Sequence, residues 1–212
     1  RFLTAVACLF ETTTIIDGEA VLRGRPMADL HDALLSLGAD ITHLGEAGYL
    51  PISVSRGSLS GGDIHIAGNV SSQFISALML IGPMLDAGLV IHVDGPLVSR
   101  SYVEMTAHVM KAFGASVALD DSTITVSSGA YIGRNYSIEP DYSSAAFPLV
   151  AIAVREGRVV IPGLATASLQ GDSEITPILK KMGMSCDVNG SDISVSRLAT
   201  TGVLPLVMNM SD

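Results

Sequence analysis

The chain has 212 residues, long enough for one large or two small domains with real cores. Hydrophobic residues make up 48% and charged residues 16%, and the formal net charge is −9. That acidic balance argues against general binding to nucleic acid or an anionic membrane, although a small anionic substrate stays compatible, because local cations matter more than the total. Aromatics are only 5% and Trp is missing, so stacking of bases is not indicated. No uninterrupted apolar run approaches the roughly 18 residues of a membrane span. The longest candidate, 77–89, is broken by Gly82-Pro83 and carries Asp86. Cys8 and Cys186 stand far apart in apolar or alternating contexts and read as buried free thiols of a reducing cytoplasm. No Cys/His cluster has metal spacing; His31, His43, His65, His92 and His108 are scattered and read as surface or satisfied histidines. The start, Arg1-Phe2-Leu3, lacks both Met and the pattern of a signal peptide and reads as that of a fragment or processed piece.

Residues 2–10 are apolar and predict a buried helix. Residues 12–16 are β-branched and predict a turn and strand start, continued by a strand over 19–22. Pro26 suits a first helical position, so a helix is expected over 26–37, stopped by Gly38. Residues 40–44 and 52–55 alternate as two strands around 45–51. The same grammar returns twice. A helix over 71–85 precedes a strand over 88–93, a helix reaching Phe113, the stop Gly114, and a hairpin of 116–119 with 123–126. A helix from Ser143-Ser144 to Val154 precedes a strand over 158–161, a helix reaching Met182, the stop Gly183, and a hairpin of 185–188 with 193–196. The chain therefore holds about three copies of a helix–strand–helix–strand–strand unit, with a further strand expected before each first helix.

The stretch Gly68-Asn69-Val70-Ser71-Ser72-Gln73-Phe74 organises the middle copy. A Gly and an Asn end an alternating segment, and two serines and a glutamine open a long apolar helix. Hydroxyls there cap exposed backbone N–H groups, and the same groups, with the helix dipole, make an anion seat. Gln73 adds an amide with donors and an acceptor. Ser143-Ser144 repeats the element, and Ser168 to Asp172 reads as a capped helix start without a ligand.

Together the repeated βαβαββ unit, the Ser71-Ser72-Gln73-Phe74 stretch, Leu97-Val98-Ser99-Arg100-Ser101-Tyr102 and, more weakly, Arg25-Pro26 resemble the enolpyruvyl transferases, in particular the branch that acts on shikimate 3-phosphate. The resemblance covers essentially the whole chain. It implies an α/β fold of two domains, each an inside-out α/β barrel of three such units with helices inside, and substrates bound between the domains. Residues 1–139 would form a nearly complete first domain and 140–212 part of a second, with Glu139-Pro140-Asp141 at the crossover. It implies transfer of the enolpyruvyl group of phosphoenolpyruvate to the 5-hydroxyl of shikimate 3-phosphate, with release of phosphate and no cofactor or metal. By the resemblance, Ser71, Ser72 and Ser99 hold the shikimate phosphate, Gln73 lies between the two substrates, Tyr102 flanks the shikimate ring and Arg25 pairs with phosphoenolpyruvate. Hydroxyls at helix starts and a guanidinium fork suit phosphate oxygens. A cytoplasmic enzyme, monomeric at full length, is implied as well.

Members of that family are longer at both ends. The N-terminal Lys and Arg and the C-terminal Lys, Arg and Glu that contact substrate have no counterpart here. Arg1 falls where a Gly-Thr-rich stretch of the family ends in Arg. The family's catalytic carboxylate would come three residues after Asp212, so no catalytic residue is assigned and the chain alone is expected to be inactive. The branch acting on UDP-N-acetylglucosamine is the alternative enzyme, but it carries a Cys five residues before its Arg-Pro, where this chain has Ala20. A relative of RNA 3′-phosphate cyclases is disfavoured by the acidic charge. The remaining alternative is a non-catalytic fragment that binds a phosphorylated small molecule.

Overall fold

The computed structural model describes residues 1–69, 71–164, 168–198 and 202–207; Val70 and the stretch ending in Asp212 lie outside the described residues. The chain divides into two compact units, Arg1–Arg134 and Asn135–Asp212. In the first unit α1 (Phe2–Ala7), β1 (Thr14–Ile16), α2 (Ala20–Arg23), α3 (Ala28–Ser36), β2 (Asp40–His43) and β3 (Ile52–Ser55) are followed by β4 (Gly62–Ala67), α4 (Ser72–Ile81), β5 (Leu89–Asp94), α5 (Arg100–Ala112), β6 (Val117–Leu119) and β7 (Thr123–Val126). The second unit holds α6 (Tyr142–Val154), β8 (Gly157–Ile161), α7 (Ile175–Lys181), β9 (Ser185–Asn189) and β10 (Asp192–Arg197).

Sheet topology confirms the repeat. Each copy ends in an antiparallel hairpin whose second strand sits in the middle: β1-β3-β2, β5-β7-β6 and β8-β10-β9. The middle copy adds β4 beside β5, the parallel pair of a complete βαβαββ unit. The expected strand before the first helix is found only there among the described residues. Before α6 the chain runs instead back over the ends of α4 and α5. Gly129 N–H donates to Pro83 O, the Tyr131 hydroxyl to Leu80 O (2.9 Å), Ile132 N–H to Phe113 O, and the Arg134 guanidinium to Ala112 O (2.7 Å). Carbonyls of two helix ends find their donors in this way.

The three stops work by one mechanism. Gly38, Gly114 and Gly183 have φ of +97°, +88° and +96°. Each donates its N–H to the carbonyl three residues back, while the next residue donates to the carbonyl five residues back. This is the Schellman arrangement, and only glycine takes the left-handed backbone without a Cβ penalty. Its usual apolar partners, Leu34 with Ala39, Met110 with Ala115 and Leu179 with Met184, are all buried.

α4 is the centre of the first core. Ser72, Phe74 through Met79 and Ile81 are buried, and α1, α3 and α5 pack around them. Strand alternation supplies the opposing wall, with Ile64, Ile66, Leu89, Ile91, Val93, Ile124 and Val126 inward. α4 is shorter than the predicted 71–85, because Pro83 cannot continue the ladder and a 3₁₀ turn follows over Gly82–Met84.

Several expectations are corrected. α1 ends at Ala7 and is buried on one side only; Phe2, Leu3 and Val6 face outward. Residues 19–22 are not a strand but belong to a one-turn helix, α2. Asp17 accepts from Gly18 N–H and from the Arg23 guanidinium (2.8 and 2.7 Å), and this closure outweighs the β preference of Val21. α3 begins at Ala28, with Met27 rather than Pro26 at its margin and the Met27 N–H tethered to Gly48 O. α6, apolar on every face like α4, buries only Tyr142, Ala145, Leu149 and Ile152; Phe147 is 81% exposed and Val154 81%. Within its unit β8, β10 and α7 cover one side of that helix, and no described residue there covers Phe147 or Val154 on the other. Cys8 is a buried thiol, pushed up by burial to about 11, but Cys186 is only half-buried.

The histidines are less scattered than their spacing suggests. Parallel register puts His65 against His92 on the outer face of the β4–β5 pair, with ring centroids 4.7 Å apart and Asp94 and Asp63 as their respective partners. His31, on α3, is fully buried; its Nδ1 lies 3.1 Å from His43 Nε2, and its own Nε2 has no partner among the described residues. Burial first, and then the neighbouring His43, push its pKa down to about 4, partly opposed by Asp32. The unfolded chain takes up this proton near 6.5 and the native state resists it. Stability is therefore full above that range and falls as pH is lowered through it towards about 4. The expected loss between pH 7 and pH 5 is at most about 2 kcal/mol for this group. Urea melts at the two pH values measure it, and a His31→Leu variant should lose that component of the slope.

Candidate functional site

β4 and β5 run parallel, so the chain leaving their C-terminal ends, at 68–69 and 95–99, emerges at one edge of the sheet. Ligand sites in α/β folds favour that edge. The loops are zipped together by Gly68 N–H donating to Asp94 O (2.8 Å) and Val98 N–H donating to Gly68 O (3.0 Å). They can approach this closely only because position 68 has no side chain; a Cβ there would stand 2.6 Å from Pro96 O. One turn further on, the Ser76 and Thr106 hydroxyls bond at 2.8 Å and tie α4 to α5.

Ser71 is the N-cap of α4, its Oγ accepting at 3.4 Å from Gln73 N–H. Ser72 is buried, and Gln73 is the outward residue of the first turn. Ser99 occupies the corresponding position before α5, but in a left-handed conformation with φ of 53° and without a side-chain cap bond. A non-glycine residue held there stores roughly 1–3 kcal/mol of strain, a feature that clusters at functional sites. Tyr102 is half-exposed in the first turn of α5. Arg100 is engaged with Glu104 at 2.9 Å.

Arg25 follows α2, whose closed turn fixes it through Arg25 N–H donating to Leu22 O. Arg1 was not among the expected site residues, yet it lies at the centre. Its Nη1 donates to Ser71 Oγ (3.2 Å) and to Gln73 Oε1 (2.7 Å), its Nη2 reaches Pro26 O (3.4 Å), and its guanidinium carbon sits 4.8 Å above the Phe74 ring. Burial, and then the like charge of Arg25, hold the Arg1 guanidinium below its ordinary value. Neither arginine has a carboxylate at ion-pair distance among the described residues, whereas Arg23, Arg56 and Arg100 each do. The Arg1 guanidinium thus meets a helix N-terminus and the Ser71 hydroxyl, with the charge of Arg25 nearby and no carboxylate paired to either arginine among the described residues, a combination suited to a phosphate or carboxylate ligand. The structure brings Arg1, Ser71 and Gln73 together directly, with Arg25 near enough for its charge to act on Arg1; Ser99 and Tyr102 stand on the adjoining loop and helix.

The second serine pair behaves differently. Asp141 caps α6, accepting from the Ser143 and Ser144 N–H groups and from the Ser144 hydroxyl, which holds its carboxyl below the usual range. The Ser143 hydroxyl donates to Asp172, and the Gln170 amide bridges Tyr142 N–H and Pro140 O. That helix start carries its own anion, so repetition of the serine pair does not repeat the open seat.

A family profile described as EPSP synthase (3-phosphoshikimate 1-carboxyvinyltransferase) matches residues 1–212. The chain belongs to the EPSP synthase family. A 3-phosphoshikimate 1-carboxyvinyltransferase of Methanothermobacter thermautotrophicus is 40% identical over all of this chain and 50% of its own length. One from a Marinomonas species is 37% identical over 96% of this chain and 48% of its own. The solved EPSP synthase of Acinetobacter baumannii superposes with a TM-score of 0.70 at 26% identity, covering 92% of this chain and 45% of that one. The chain spans about half the length of the curated relatives it matches. In the EPSP synthase context the mixed α/β repeat described above is the family fold, and the sequence-level resemblance is confirmed.

Proposed function

We propose that the protein containing this chain transfers the enolpyruvyl group of phosphoenolpyruvate to the 5-hydroxyl of shikimate 3-phosphate, releasing phosphate. The observation that carries this reading is the Arg1 guanidinium on Ser71 and Gln73 at the start of α4, in a chain matched along its whole length by the EPSP synthase family. Ser71, Ser72 and Ser99 bind the shikimate phosphate, Gln73 lies between the two substrates, Tyr102 flanks the ring, and Arg25 pairs with phosphoenolpyruvate. Both substrates are anions, and local cations such as Arg1 and Arg25 matter more to them than the acidic total. Residues 1–139 form most of a first domain and 140–212 part of a second, with Glu139-Pro140-Asp141 at the crossover; the compact units Arg1–Arg134 and Asn135–Asp212, whose division falls five residues earlier, support this reading. The open face of α6 at Phe147 and Val154 is the surface that the rest of the second domain covers. The protein works in the cytoplasm, as a monomer at full length.

Turnover is the test. Protein expressed with whatever its gene encodes on either side of residues 1–212 should form the enolpyruvyl product from the two substrates, with no added metal or nucleotide. Acid–base groups and charge stabilisation suffice for this chemistry. The 212-residue chain by itself should give none. Activity of the isolated chain would overturn its assignment as part of a site, and an inactive longer protein that still binds shikimate 3-phosphate would point to a non-catalytic binding role.

A further inference from the structure

Arginine has five N–H donors and no acceptor. The atom of Gln73 that faces Arg1 Nη1 at 2.7 Å must therefore be the amide oxygen, which fixes the side chain's orientation and turns its NH₂ group away from Arg1. Ser71 is constrained in the same sense. Its Oγ accepts from Arg1 Nη1 at 3.2 Å and, more weakly, from Gln73 N–H at 3.4 Å. With its lone pairs engaged, its hydroxyl hydrogen is left to point elsewhere. The stacking of Arg1 on Phe74 and its reach to Pro26 O hold the guanidinium in place for both contacts.

We propose that Arg1 is a positioning residue that sets the polarity of the seat: by occupying the acceptors of Ser71 and Gln73 it leaves both side chains as donors towards a bound phosphate. This rests on the reading of the α4 start as a substrate site. An amide or hydroxyl free to rotate would present an acceptor to the anion for part of the time. Arg1 removes that alternative before the ligand arrives.

A double-mutant cycle on shikimate 3-phosphate affinity, measured by calorimetric titration of the protein with its native flanks, tests the proposal. Arg1→Gln, which can present an acceptor where Arg1 presents donors, should weaken binding about tenfold in the otherwise unchanged protein and about threefold or less where Gln73 is already Ala. Arg1→Lys, a donor-only head that reaches a single acceptor, should lose less than Arg1→Gln. An equal loss in both backgrounds means that Arg1 acts on the anion independently of Gln73, and this overturns the proposal, as does no loss at all. Unchanged affinity for Gln73→Ala alone would instead sink the site reading on which it rests. Where Arg1→Gln does not fold, the same cycle run with Arg1→Lys should show a smaller coupling of the same sign, and its absence overturns the proposal equally.

Discussion

Leu78→Ala is expected to lower the folding stability of the first unit by roughly 2–5 kcal/mol. Leu78 is 0% exposed in the middle of α4, with Ile75, Met79 and Ile81 equally closed around it. Removing its isobutyl end takes away transfer free energy and leaves a void that can close only if α1, α3 or α5 shifts. α3 and α5 are held at their ends by the glycine stops, and the 129–134 segment ties the ends of α4 and α5, so collapse is restricted. Guanidinium or urea melts of the variant give the number directly. A loss under about half a kcal/mol, the ordinary range of surface changes, would show that α4 is not the centre of the core.

Ser71→Ala combined with Ser72→Ala is expected to weaken shikimate 3-phosphate binding about a hundredfold, close to 2.7 kcal/mol, while changing folding stability by no more than about 2 kcal/mol. The two effects separate because they draw on different bonds. The cap of α4 is a single long contact from Gln73 N–H to Ser71 Oγ, whereas the anion would take charge-assisted bonds from both hydroxyls. Calorimetric titration beside a thermal melt distinguishes them. Unchanged affinity with a lowered melting temperature would make these serines caps and nothing more.

The hairpins, the three glycine stops and the α4 start are legible in the sequence because each is written in a few neighbouring residues. Asn189-Gly190-Ser191, or a Gly just past the last apolar turn, carries its own geometry. What escaped the sequence depends on partners remote along the chain. His65 and His92 meet only through strand register, and His31 and His43 only when α3 lies on β2. Val21 has the β-branching of a strand residue, yet the Asp17–Arg23 closure makes a helical turn there. The apolar faces of α6 show that the helix calls for cover; they do not show whether residues 1–212 contain it. Most of the candidate site could be written down from Ser71-Ser72-Gln73, Ser99, Tyr102 and Arg25. Arg1 stands in the sequence only as a point of resemblance, since a lone arginine seventy residues before its partners carries no local signal.

Gly68 gives the site one further property. The two loops that bear Ser71 and Ser99 rest backbone against backbone there, with no room between position 68 and Pro96 O. The span across the mouth of the seat is thus gauged by an absent side chain. A methyl group at that point would act as a shim, prising the second loop outward without touching any residue that could bind a ligand. The fit of a phosphate in the proposed seat would in that sense be a matter of clearance as much as of chemistry, set from behind by the smallest residue there.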